Sequence, residues 1–207
     1  LGVPVRYTAD TVYINGDASS LTDNVKVKVS GVGTSDGRLG AEICEILTTN
    51  AVRTEWELGA VDTSASTVTI LGIEWDVRES TELRDKSSLD LDPLLLSDLF
   101  VGDRVMVRGY MDGSTPTATR LERDDAESDA RIRGPVTSVA GVSTFRFEVL
   151  GVELLGDGLT VYRDENDVLM TQQEFFDALS LGRFVQAKWD SFSSTGFRAD
   201  ELSFEND

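Results

Sequence analysis

Apolar and polar positions alternate in short runs along this chain, and the runs recur. Val25, Val27 and Val29 take one side of a stretch whose other side carries Lys26 and Lys28, while Val105 and Val107 oppose Arg104, Met106 and Arg108. A period of two with one charged side predicts half-buried strands. Three such stretches stand at comparable places: "LTDNVKVKVSG" from Leu21, "VGDRVMVRGYMDG" from Val101 and "LGRFVQAKWDS" from Leu181. Each lies downstream of a Leu-Gly opening, "LGVPVRYTADT" at Leu1, "LGIEWDVREST" at Leu71 and "LGVELLGDGLT" at Leu150. Each precedes a closing strand, "LGAEICEI", "PTATRLERDD" and "GFRADELSFEND" in turn. Asp36-Gly37, Asp112-Gly113 and the Ser193 to Gly196 cluster supply the hairpin connections between them.

Internal repetition at this level decides the fold. A helical insert separates the Leu-Gly half of each copy from its alternating strand. In the third copy "TQQEFFDAL" pairs Thr171 with Glu174 as a capping box, and Phe175, Phe176 and Leu179 form one apolar face. In the second, "DPLLLSDLF" offers Asp92 as N-cap and Pro93 at the first helical position. The first has only "GDASS", room for one turn. A full copy therefore reads β–β–β–short helix–β–β, the order of a small OB-type barrel. The expectation is an all-β chain of tandem small OB-like five-stranded barrels with a short helix in each, the first barrel incomplete. The copies span residues 1–48, 51–125 and 130–207, the last two separated by an acidic link, "DDAESD". The first lacks the first strand and the beginning of the second.

The run "GAVDTSASTVTILGIEWDV … LSDLFVGDRVMVRGYMDGSTPTATRLERDD" resembles a bacterial domain of unknown function, found in tandem in predicted secreted or lipid-anchored envelope proteins. The third copy is similar but carries "LGRFVQAKW" where the family pattern favours Val-Gly-Asp, and the first replaces Gly-Asp with Thr22-Asp23. The resemblance implies an OB-like fold and an extracytoplasmic setting (periplasm, cell surface or secreted), with a lipid anchor upstream of Leu1 as one arrangement. It carries over no catalytic residues.

Composition narrows the chemistry. With 37 acidic and 19 basic residues the net charge is −18, which repels phosphate backbones and argues against nucleic acid as a partner. No stretch is long and apolar enough to span a membrane. The chain has no His, which removes Ser-His-Asp and Cys-His catalysis and His-ligated zinc. Its one cysteine, Cys44, sits in the alternating run "AEICEI" and reads as a small buried apolar residue. Acidic loops at Asp164, Asn166 and Asp167, and at Asp124, Asp125, Glu127 and Asp129, lack the spacing of a closed calcium loop and read as solvated turns. "LDLDP" at Leu89 reads as a helix entry rather than a metal site. Carboxylate pairs are too many in so acidic a chain to point to glycoside chemistry.

The expected role is therefore non-catalytic, with no cofactor and no metal. Trp75 and Trp189, on strands of copies two and three, and Val25 and Val27, on a strand of copy one, form the candidate interaction surface, although a strand Trp on a small barrel is more often core or inter-barrel packing than a ligand platform; Trp56 lies near the start of copy two. Three explanations of the missing first strand stand open. Residues upstream of Leu1 supply it, copy one packs on copy two as a half-barrel over the short link "TTNAV", or a strand from a neighbouring molecule completes it, since unpaired edges recruit strands from other chains. The third explanation predicts a structural or assembly protein that meets a protein partner, or its own copies in an oligomer or filament, by strand complementation of the first repeat. The alternative is a binding module for glycan, peptide or calcium on the barrel faces.

Overall fold

The computed structural model describes residues 3–14, 18, 21, 26–47, 52–140, 144–189 and 197–205. The chain divides into two units, Leu1–Thr49 and Asn50–Asp207. Val25 and the Thr22-Asp23 and Ser193 to Gly196 turns lie outside the described residues, as does "GDASS" apart from Ala18.

Unit 1 is one sheet. Strands β1 (Val5–Arg6) and β2 (Val12–Ile14) both run parallel to β4 (Leu39–Leu47), and β3 (Lys26–Gly33) pairs with β4 antiparallel on its other edge.

In unit 2, repeat two contributes β5 (Val52–Asp62), β6 (Thr67–Ile70), β7 (Ile73–Asp85), β8 (Arg104–Asp112) and β9 (Thr115–Asp124). They pair in the order β5-β6-β7-β9-β8, and β8 returns to β5 to close the ring. Every pairing is antiparallel except β7 with β9. This is the five-stranded Greek-key barrel that the repeat pattern predicts. Closure leaves Trp75, Val105, Val107 and Leu121 with no solvent contact.

Repeat three follows the same circuit with two strands broken. Its strands are β10 (Ala130–Val139), β11 (Arg146–Val149), β12 (Val152–Leu155), β13 (Val161–Arg163), β14 (Leu169–Met170), β15 (Phe184–Trp189), β16 (Phe197–Arg198) and β17 (Glu201–Phe204). Strands β12 and β13 are halves of the third barrel strand, and each pairs in parallel with one half of the last strand, β16 or β17. Helix α1 (Gln172–Ala178) starts as its capping box predicts: Thr171 Oγ1 accepts from the Glu174 N–H at 3.2 Å and a Glu174 carboxylate oxygen accepts from the Thr171 N–H at 2.8 Å. Phe175 and Phe176 are buried, with Phe175 stacked on Phe204 at a centroid distance of 4.3 Å.

Repeat two departs from the predicted helix. The segment holds a single 3-10 turn, Leu96–Asp98, capped at Leu95, whose N–H is taken by the Asp98 carboxylate at 2.9 Å. Asp92 and Pro93 do not start it. A turn this short leaves the connection largely irregular, and it is fixed instead by hydrogen bonds from outside, described below.

The Leu-Gly pairs at Leu71 and Leu150 prove to be hairpin turns, and Leu1-Gly2 lies outside the described residues. Leu71 and Gly72 have φ of 56° and 78°, Leu150 and Gly151 of 53° and 80°, and the flanking residues pair directly, Ile70 with Ile73 and Val149 with Val152. Two successive positive φ values twist with the strands they join. The turn joins second strand to third, so the described strands of unit 1 are counterparts of the third, fourth and fifth. Among the described residues, unit 1 shows no counterpart of the second strand, part of which is expected in copy one.

Repeats two and three are not separate barrels on a link. The first halves of their first strands pair antiparallel, Glu55 with Arg131, Thr54 with Ile132 and Arg53 with Arg133, joining both barrels in one 13-stranded sheet. One core cluster spans both repeats. Leu58 and Val136 are equivalent: each exchanges backbone hydrogen bonds of 2.8 to 2.9 Å with the Gly102-Asp103 or Gly182-Arg183 turn of its own barrel. Thr54 and Ile132, each four residues earlier, are therefore equivalent too, and the seam is centred on matching positions.

Candidate interaction surfaces

Three threonines show that the copies share more than a strand pattern. Thr11, Thr81 and Thr160, the last residue of each Leu-Gly stretch quoted above, are buried where the third strand kinks. Each hydroxyl donates to the carbonyl of a buried alanine on the closing strand: Ala41 at 2.9 Å, Ala118 at 2.7 Å and Ala199 at 2.7 Å. Each also accepts from the N–H three residues before it, of Thr8 at 3.0 Å, Arg78 at 2.9 Å and Asp157 at 3.0 Å. The hydroxyl thus satisfies a donor and an acceptor that the kink takes out of the ladder.

A second shared device is a glycine at a bulge in the fourth strand. A Cβ on Gly31 would lie 1.9 Å from the Gly40 carbonyl oxygen, and one on Gly109 would lie 1.8 Å from that of Thr117. The register shifts at both places, after Ser30 and after Arg108. Four residues back from each glycine stand Val27 and Val105.

These equivalents have different surroundings. Val105 is 0% exposed, whereas Val27 is 38% exposed. In repeat two the outer edge of the fourth strand pairs with β5, and the third strand pairs with β6. Among the described residues no strand takes the corresponding edge of β3, β1 or β2. Val5, Tyr7, Val12, Val32 and Ile43 are exposed as well, while Cys44, Ile46 and Ala41 are buried. Burial pushes the Cys44 thiol up, in keeping with an inert packing residue. Val27 pairs with Ile46 and Val29 with Cys44, so the predicted facing of the valines agrees with the register, but Val27 is not inside a core.

Trp75 and Trp189 are both fully buried. As a surface they are corrected: Trp75 lies inside the closed barrel of repeat two, and Trp189 packs on Phe197 at 5.1 Å. Trp56 is partly buried beneath the Arg104 guanidinium, 5.7 Å from its ring centroid. Two shallow clefts of about 290 Å³ and 400 Å³ share Leu71 and Phe197; the first takes in both Leu-Gly turns, the second Trp56 and Val101. A polar cleft of about 370 Å³ on repeat three is lined by Lys188, Gln186, Ser203 and Glu205 among others.

The acidic loops are structured by their own chain. An Asp164 carboxylate oxygen accepts from the N–H of Val168 at 2.8 Å and of Asn166 at 2.9 Å, which holds its pKa below the usual range. Glu55, Glu127 and Asp129 form a carboxylate group close enough for one cation, and arginine supplies the positive charge there: Arg104 Nη2 lies 3.2 Å from both Glu55 and Asp129, and Arg131 bonds Asp129 at 2.8 Å. The "DDAESD" link is thereby tied into the seam. Deeper in repeat two, Arg123 and Asp85 form a buried pair, their side chains 3% and 0% exposed. The Arg123 hydrogen bond holds the Asp85 carboxyl far below the ordinary carboxylate range, against the desolvation that raises it.

Among the described residues, no helix is long and apolar enough to cross a membrane. Residues 1–42, 59–122 and 133–201 match DUF5666, a domain of unknown function, and the chain belongs to that family. No curated protein matches the chain.

Proposed function

We propose, from the premise of three copies of a DUF5666 domain, that this chain is a non-catalytic structural module whose unit 1 binds protein by strand addition. The observation that carries the reading is the contrast at equivalent positions, Val27 exposed and Val105 buried, together with unpaired edges on both sides of the unit 1 sheet among the described residues. Unpaired backbone beside apolar side chains is the physical basis of β-augmentation: main-chain bonds give affinity and alternate side chains give selectivity. The complement that fits is an antiparallel hairpin shaped like β5 and β6, one strand against β3 and the other against β1 and β2. We place this role outside the cytoplasm, as the resemblance to tandem envelope proteins implies.

Light scattering across a concentration series tests self-assembly, and pull-down with the full chain as bait tests a foreign partner. Association lost in Val27→Asp supports the reading. A concentration-independent monomer that captures nothing through unit 1 sinks it.

A second reading, glycan binding on a barrel face, is favoured by the polar cleft of repeat three, whose size suits a sugar unit. A glycan thermal-shift screen that yields no stabilisation rejects it.

A further inference from the structure

Exposed large apolar side chains are unevenly placed in unit 2. Among the described residues, they lie in each barrel between the threonine latch (Leu159 immediately before Thr160) and the fourth strand. Repeat two puts five of them, Leu89, Leu91, Leu95, Phe100 and Val101, in one connection, and Phe100 is 68% exposed.

This connection is held firmly. Leu94 and Leu99 are buried in the core. Asp85 accepts from the Leu91 N–H at 2.9 Å, Asp125 from that of Ser88 at 2.9 Å, and Asp103 from that of Phe100 at 3.0 Å. Arg123 donates to the Asp98 carbonyl at 3.0 Å while paired with Asp85. The apolar side chains are displayed on a fixed backbone, which lowers the ordering cost of a partner's arrival.

Charge indicates what arrives. Residues 87–103 contain four aspartates and neither Lys nor Arg. Asp90 and Asp92 are exposed, with no hydrogen bond or ion pair to their carboxylates among the described residues. The preceding Lys86 is committed to Glu122 at 2.9 Å. A second copy is a poor fit, because the chain carries −18 overall and the matching connection of repeat three is acidic too, with Asp164, Glu165 and Asp167.

We propose that the 87–103 connection of repeat two docks a cationic amphipathic segment of a partner protein, with Leu95 and Phe100 meeting its apolar face and Asp90 and Asp92 its Lys or Arg side chains. This surface belongs to unit 2 and stands independently of strand addition at unit 1.

The test uses the full chain and a fluorescent Leu/Lys helix of about 18 residues, long enough for about five turns. A scrambled peptide of the same composition keeps the charge and loses the apolar face. The amphipathic peptide is expected to bind at least about tenfold tighter than the scrambled one by anisotropy. Phe100→Ser, and Asp90→Asn with Asp92→Asn, are each expected to weaken it about tenfold, a shift of about 1.4 kcal/mol. Glu74→Gln with Glu79→Gln, which removes the same charge from an exposed part of β7, should stay within about twofold. All variants should melt with the parent, since every altered side chain is exposed. Equal binding of the two peptides, or full affinity in Phe100→Ser, overturns the proposal. So does a dimer, or binding to phosphatidylcholine vesicles, that Phe100→Ser abolishes, because the occupant is then a second copy or a lipid surface.

Discussion

Repeat two and unit 1 carry the same latch, the same glycine-bearing bulge and the same register between fourth and closing strands, yet they differ in what those devices enclose. In repeat two the latched strands belong to a closed ring and Val105 is fully buried; in unit 1 the same strands form a sheet that is open among the described residues, and Val27 is exposed. The local geometry of three strands is therefore set by contacts within them. Burial of their apolar face requires the first two strands. A sheet can be correctly built while much of its apolar face stays exposed among the described residues.

Substitutions at matched positions break or sharpen this comparison. The largest difference is expected for Val105→Asp against Val27→Asp. An unpaired carboxylate in the repeat two core should cost more than about 4 kcal/mol and leave unit 2 unfolded by circular dichroism. At Val27 the cost should be about 1 kcal/mol or less, with the loss appearing in association rather than in melting.

The buried Asp85–Arg123 pair has no counterpart in unit 1, where Ile46 stands at the position of Arg123 in the register. Arg123→Met strands a buried carboxylate and should destabilise unit 2 by about 3 to 5 kcal/mol in urea unfolding. The pH dependence follows from the lowered Asp85 pKa. Its stabilisation is fully present above the unfolded value near about 4 and drains away as pH falls towards the much lower folded value. Acid unfolding of Asp85→Asn should therefore show a shallower pH slope below about 4, from a lower starting stability.

Smaller effects should separate the latches. Thr81→Val leaves the Ala118 carbonyl and the Arg78 N–H unpaired inside a closed barrel, at about 2 kcal/mol. Thr11→Val breaks equivalent bonds in a sheet whose edges are unpaired among the described residues, and about 1 kcal/mol is expected by hydrogen exchange. The smallest effect should be the same in both units. Gly72→Ala and Gly37→Ala each force an alanine to a φ of 78° with open space around it, so each should cost about 1 kcal/mol of local strain.

Periodicity exposed the repeats because alternation and turn chemistry are local. It gave the strand order, the Thr171 capping box and the buried Cys44. The Leu-Gly pairs were visible as repeat openings but not as turns, because leucine at positive φ is a choice no propensity favours. In "DPLLLSDLF" the Asp-Pro entry resembles a helix start, while the side chains that organise the segment include Asp85 and Arg123, 38 residues apart, and Asp125. The tryptophans could not be placed from strand position, since a strand shows one face to the core and the other to solvent. The latch threonines stood at the end of each quoted stretch, but threonine in a strand reads as an ordinary β-former. The Leu-rich connection was not legible as an exposed surface, because "LDLDP" at Leu89 reads as a helix entry. The seam left no signal in the sequence, because it joins backbone edges far apart in the chain.

That seam also settles how such repeats can be counted. Each barrel offers half an edge of its first strand, and the partner answers with the equivalent half, so the pairing closes on itself. An edge used this way is spent for both members. Barrels joined by it come in twos, as repeats two and three do. Any repeat outside a couple must find its company by other means.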